Sequence, residues 1–124
     1  MTVFSDSAWR DMGPPMWMAR VEARILMNEL EGRDVVITSG RRAPTPGGSS
    51  LHAHGLAMDI RSRDFGSPSR IWAYADELQK RLGEDFDVIV EGPAARDVRY
   101  KNRAPHIHIE YDPKGRHASR LADD

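Results

Sequence analysis

The chain is predicted to be an α+β domain: a small, mostly antiparallel sheet with helices packed on one side. Three observations predict it. Two stretches repeat apolar residues at helical spacing behind proline-bearing first turns. Three short runs are β-branched or alternate apolar with polar residues, as strands do. Gly-, Pro- and Ser-rich connections separate these runs. At 124 residues the chain has the size of one domain. Such a domain buries roughly two-thirds of its unfolded surface, enough for one core without staples. The domain is expected to span residues 1–124, with 1–13 and 113–124 as loose tails.

The first helix is predicted over 14–31. Pro14 and Pro15 suit a first turn, where a missing N–H costs nothing, and Gly32 stops the helix. Trp17, Val21, Ile25 and Leu30, with Met18 and Leu26 beside them, form its expected buried stripe. The methionines Met12, Met16 and Met18 with Trp9 and Trp17 read as core or oligomer contact. Asp34 to Ser39 is a β-branched run, hence a strand, and residues 40–50 form a loop. In the second helix Ser67 caps, Pro68 takes the first position, and Ile71, Ala75, Leu78 and Leu82 line one face before Gly83 ends it. Phe86 to Val90 reads as a strand, and residues 92–105 as an exposed loop with a local basic excess. In Pro105–Tyr111, Ile107 and Ile109 alternate with polar residues, the pattern of a strand with one buried face.

Composition excludes several functions. With 18 basic and 19 acidic residues the formal net charge is -1, which provides no field for nucleic acid or an anionic membrane. There are no cysteines, so disulfides, thiolate zinc ligands and a cysteine nucleophile are all absent. Any metal must be held by His, Asp or Glu. The N-terminus lacks the pattern of a secretory signal, and no run is long enough to span a bilayer. Synthesis in the cytoplasm is expected.

Four of the five histidines fall in two clusters: His52 and His54 ahead of Asp59, and His106 and His108 ahead of Glu110. Residues two apart on a strand share a face, so His106, His108 and Glu110 point together, away from Ile107 and Ile109. With His52 and Asp59 brought opposite, the set offers imidazole and carboxylate groups to a metal such as Zn²⁺. Gly55 and Ala57 are small enough to let the backbone pack closely as it enters the strand presenting Asp59.

The segment Ser50-x-His52-x-x-Gly55-x-Ala57-x-Asp59 resembles the S-x-H-x-x-G-x-A-x-D motif of the D-Ala-D-Ala zinc peptidases, a family of peptidoglycan D,D-carboxypeptidases, vancomycin-resistance dipeptidases and phage endolysins. Ser39-Gly40-Arg41-Arg42 is similar to the family's S-G-x-R. His106-x-His108 is similar to the H-x-H of the wider group that also holds lysostaphin and the hedgehog domain. The ordered match covers residues 35–112. The resemblance implies a hedgehog/D,D-peptidase-like fold and one Zn²⁺ per chain held by His52, Asp59 and His108. It implies that His106 stands beside the metal as a base or oxyanion stabiliser, and that Arg42 binds a substrate carboxylate or carbonyl, which its planar fork suits. The chain departs from members that carry E-x-x-H before the third ligand: Arg103 precedes His106 by three residues and Pro105 precedes His108 by three. The general base is therefore His106 or Glu91, the nearby carboxylate at the end of the preceding strand.

Of the remaining residues, Ser50 belongs to the substrate side and fixes its loop by hydrogen bonding rather than by attack. His54 is read as a polar neighbour of the ligands and Glu110 as an acceptor that orients one of them. The expected activity is zinc-dependent hydrolysis of a peptidoglycan stem-peptide bond, as a D,D-carboxypeptidase or an L-Ala-D-Glu-type endopeptidase, in a phage- or prophage-encoded chain. It would act at the cell wall after release, or as a virion component with phage partners. The competing expectation is a non-catalytic zinc-containing binding or virion structural module on the same fold.

Overall fold

The computed structural model describes residues 3–4, 13–39 and 56–113. They form strand β1 (Val3–Phe4), helix α1 (Pro14–Glu31), β2 (Val36–Ser39), β3 (Ala57–Arg61), helix α2 (Pro68–Leu82), β4 (Phe86–Glu91) and β5 (His106–Tyr111). The fold is α+β, as expected. One sheet has the order β1-β2-β3-β5-β4, and every pairing is antiparallel except the parallel β1–β2 pair. Val3 and Phe4 fall in the segment expected to be a loose tail; their pairing with Val36 and Ile37 makes them the sheet's edge instead.

Local chemistry explains the helix boundaries. Gly32, at φ 67°, takes the left-handed conformation that closes α1, and its N–H donates to the Asn28 carbonyl. At the start of α2 the Ser67 hydroxyl accepts from the Arg70 N–H, with Pro68 in the first position. Both match the sequence reading.

The buried face of α1 does not. Met16, Ala19, Ala23, Leu26 and Met27 line it, while Met18 is 71% exposed and Val21, Ile25 and Leu30 are nearly half exposed. The expected stripe follows helical spacing, which a second apolar stripe satisfies as well. Two apolar stripes overlap on this helix, and the one with Ala19 and Ala23 lets α1 approach α2 closely. There the buried Tyr74 hydroxyl donates to the Ala23 carbonyl at 2.8 Å. From α2, Ile71, Tyr74, Ala75 and Leu78 enter the same core.

The other half of the core comes from one face of the sheet. Met58, Ile60, Val90, Ile107 and Ile109 are buried against the helices, as strand alternation requires. Gln79 fastens α2 to β4: its amide donates to the Phe86 carbonyl at 2.7 Å and its oxygen accepts from the Val88 N–H at 2.9 Å. With both helices on one side, the opposite face of β3, β5 and β4 is left for polar side chains.

Candidate metal centre

Register builds this site. β5 lies between β3 and β4, with Asp59 opposite His108, and His106 opposite Glu91. Directly opposed residues point to the same face, so Asp59, His106, His108, Glu110, Glu91 and Asp87 all project from the side away from the helices. The alternation in PHIHIEY displays half of this set. The same period in FDVIVE places Asp87 and Glu91 on that face, a signal in the sequence that the strand assignment alone left unused.

The side chains join into a chain of contacts. His108 Nδ1 lies 2.9 Å from Asp59 Oδ1, and its Nε2 lies 2.9 Å from Glu110 Oε1. His106 Nε2 is 3.6 Å from the same Asp59 oxygen and hydrogen-bonds Glu91 Oε1. The other Glu91 oxygen, Oε2, accepts from an Arg103 guanidinium nitrogen at 2.5 Å. Asp59 and Glu91 are only 5% and 6% exposed. Buried carboxylates are costly unless paired, and here Asp59 is paired with His108 and Glu91 with His106 and Arg103.

His108 responds to its carboxylate neighbours. Burial, the largest influence, disfavours its charged form, but the hydrogen bonds to Asp59 and Glu110 outweigh it and raise its pKa to about 9. Without a metal it is therefore an imidazolium held between two carboxylates. A metal taking a nitrogen of His108 must displace that proton.

The donor set fits a divalent metal. Asp59, Glu91 and His106 each offer a ligand atom, all within 4.8 Å of one another. Four ligands at about 2.0–2.1 Å in a tetrahedron lie about 3.3 Å apart, and the two imidazole distances to Asp59 Oδ1, 2.9 and 3.6 Å, bracket that value. Nitrogen and carboxylate donors without sulfur suit zinc among other transition ions. If His108 binds through Nδ1, its Nε2–H is already directed at Glu110, the partner a ligating histidine commonly has.

The structure thus brings Asp59, His106, His108, Glu110 and Glu91 together. Arg42, Ser50, His52 and His54 lie outside the described residues. His106 and Glu91 each offer a ligand atom within 4.8 Å of one on Asp59. Two features went unread in the sequence. Arg103, expected as part of an exposed basic loop, is bound to Glu91. A second group, Asp87, Glu110 and Asp112, gathers beside the first through Glu110. A groove lined by Phe65, Pro68, Pro93 and Pro105 includes Glu91 in its wall.

No known family model matches the chain, and no curated protein matches it. Among the described residues no helix is long and apolar enough to cross a membrane.

Proposed function

We propose that the chain is a zinc-dependent peptidase that hydrolyses a stem-peptide bond of bacterial peptidoglycan, as a D,D-carboxypeptidase or an L-Ala-D-Glu-type endopeptidase. The observation that carries the reading is the pairing of Asp59 with His108 across β3 and β5, with His106 and Glu91 one row along on the same face. The motif resemblance supplies the substrate class. Asp59 and His108 would hold the metal with His52, as that resemblance implies. Zinc, when bound there, supplies Lewis acidity and a water acidic enough to act near neutral pH.

The chain's own residues do the rest. His106 Nε2 and Glu91 Oε1 are joined by a direct hydrogen bond. The pair accepts the proton released by the attacking water and returns it to the departing amine nitrogen, the work of a general acid–base couple. Glu110 keeps His108 oriented.

The test is metal analysis of the purified chain, followed by digestion of purified peptidoglycan and mass spectrometry of the fragments. About one zinc per chain is expected, removable by chelator and lost in Asp59→Ala, together with released D-Ala or new amine termini. One observation favours a second reading: Asp59, Glu91 and His106 already bring three donors within 4.8 Å of one another, so that one more protein ligand, with His108 in contact with Asp59, would close a four-coordinate site. A zinc-loaded chain that leaves peptidoglycan intact would make it a non-catalytic binding or virion structural module.

A further inference from the structure

We propose that Arg103 decides what Glu91 does: the guanidinium holds the carboxylate off a bound divalent metal, so that Glu91 handles protons instead of becoming a further ligand. The proposal rests on the reading of Asp59 and its neighbours as a metal centre, and it makes Arg103 a positioning residue that acts through Glu91.

Glu91 is close enough to ligate. One of its oxygens lies within 4.8 Å of ligand atoms on Asp59 and His106. It is also almost fully buried, and a buried carboxylate without a cation would turn to the strongest positive charge in reach. Both of its oxygens are engaged instead. His106 Nε2 takes Oε1, and Arg103 takes Oε2 at 2.5 Å. A charge-assisted contact of this kind is directional and holds the carboxylate plane in place.

The contact is built rather than incidental. Glu91 is followed by Gly92, whose N–H donates to the Tyr100 carbonyl at 2.8 Å. Gly92 has φ 100°, and a Cβ there would fall 2.7 Å from the Pro105 Cα, so the two ends of the 92–105 loop meet directly behind Glu91. Arg103 rides on this closure with its guanidinium 5.0 Å from the Tyr100 ring centre. The loop's other arginines are committed elsewhere. Arg96 pairs with Asp76 and stacks on Trp72, and Arg99 pairs with Asp97. Arg103 is 53% exposed, but its partner Glu91 is only 6% exposed, so the guanidinium also compensates a buried charge. The folding check on each variant separates that contribution from the effect on the metal. Its placement matters to the site.

Cobalt(II) serves as the probe, since its visible absorption is strong in four-coordinate sites and weak in sites of higher coordination. Arg103→Gln and Arg103→Ala, each checked for wild-type circular dichroism, are compared with Arg103→Lys and with the double variant Arg103→Gln/Glu91→Gln. Loss of the charge should tighten cobalt binding about tenfold, the scale on which outer residues tune metal sites, and weaken the visible bands. The lysine variant should keep the wild-type spectrum, and the double variant should return to it. Wild-type affinity and spectrum in both uncharged variants would overturn the proposal. So would a change that persists in the double variant, because the effect would not run through Glu91. A wild-type chain that takes up no cobalt would overturn this proposal and the metal-centre reading together. A chain that shows the expected cobalt spectra but cleaves no peptidoglycan would overturn the peptidase reading and support the role of Arg103.

Discussion

His108 stands between two carboxylates, and each of its ring nitrogens has a partner. The two contacts have different consequences. The Nδ1 side faces Asp59, inside the proposed metal centre, whereas the Nε2 side faces Glu110, outside it. Removing Glu110 leaves every proposed ligand in place and deletes only the group that fixes the ring. Glu110→Ala should therefore weaken zinc about 10–100-fold while the chain still folds, as measured by competition with a chromophoric chelator. Unchanged zinc affinity would show that Glu110 has no part in orienting His108. At this scale the sequence was informative for β5, because H-I-H-I-E on a half-buried strand admits one arrangement of faces. It was silent on Arg103, whose meaning depends on a loop closing behind Glu91.

Among the elements, α1 carries the clearest lesson about packing. Its boundaries followed from local rules, namely two prolines at the start and a left-handed glycine at the end. Its orientation about its own axis did not, because apolar residues of both stripes satisfy a period of 3.6. Leu26 is wholly buried, while Ile25 is nearly half exposed. Leu26→Ala should thus cost about 2–5 kcal/mol through lost burial and the cavity left behind. Ile25→Ala, on the outer stripe, should stay below about 1 kcal/mol, since alanine also favours the helix. Urea unfolding of the two variants measures both costs. Equal losses would restore the outer stripe as a core face.

Across the whole molecule, Tyr74 joins the two helices to each other and to the segment that follows β3. Its ring is fully buried, packs edge-on against Phe65 at 5.5 Å between centres, and its hydroxyl bonds α1. Burial pushes its pKa well above the usual 10, and the nearby Arg33 charge only partly opposes this. The folded chain therefore keeps the phenol proton at pH values where the unfolded chain has lost it. Stability from this group is complete below pH 10 and declines as pH rises from there, by up to about 1.4 kcal/mol per pH unit. Tyr74→Phe should remove that part of the alkaline decline, while costing about 1 kcal/mol at neutral pH through the lost hydrogen bond. Unfolding of both proteins at neutral and alkaline pH gives the comparison, and parallel alkaline declines would mean that the phenol ionises equally in both states.

By itself the sequence determined what short-range chemistry can determine: both helices to their caps, β4 and β5, the α+β class, and the polar face that carries His106, His108 and Glu110. Proline, glycine and serine act within a turn, and strand alternation acts within six residues, so these features need no distant partner. The tertiary structure decided everything that joins remote positions. Asp59 meets His108 across 49 residues, Tyr74 reaches Ala23 across 51, and Glu91 and Arg103 meet across a 12-residue separation. The buried stripe of α1 belongs with them. Which apolar face turns inward is settled by the complementary surface it meets, here α2 and the sheet, and no periodicity within one helix contains that surface.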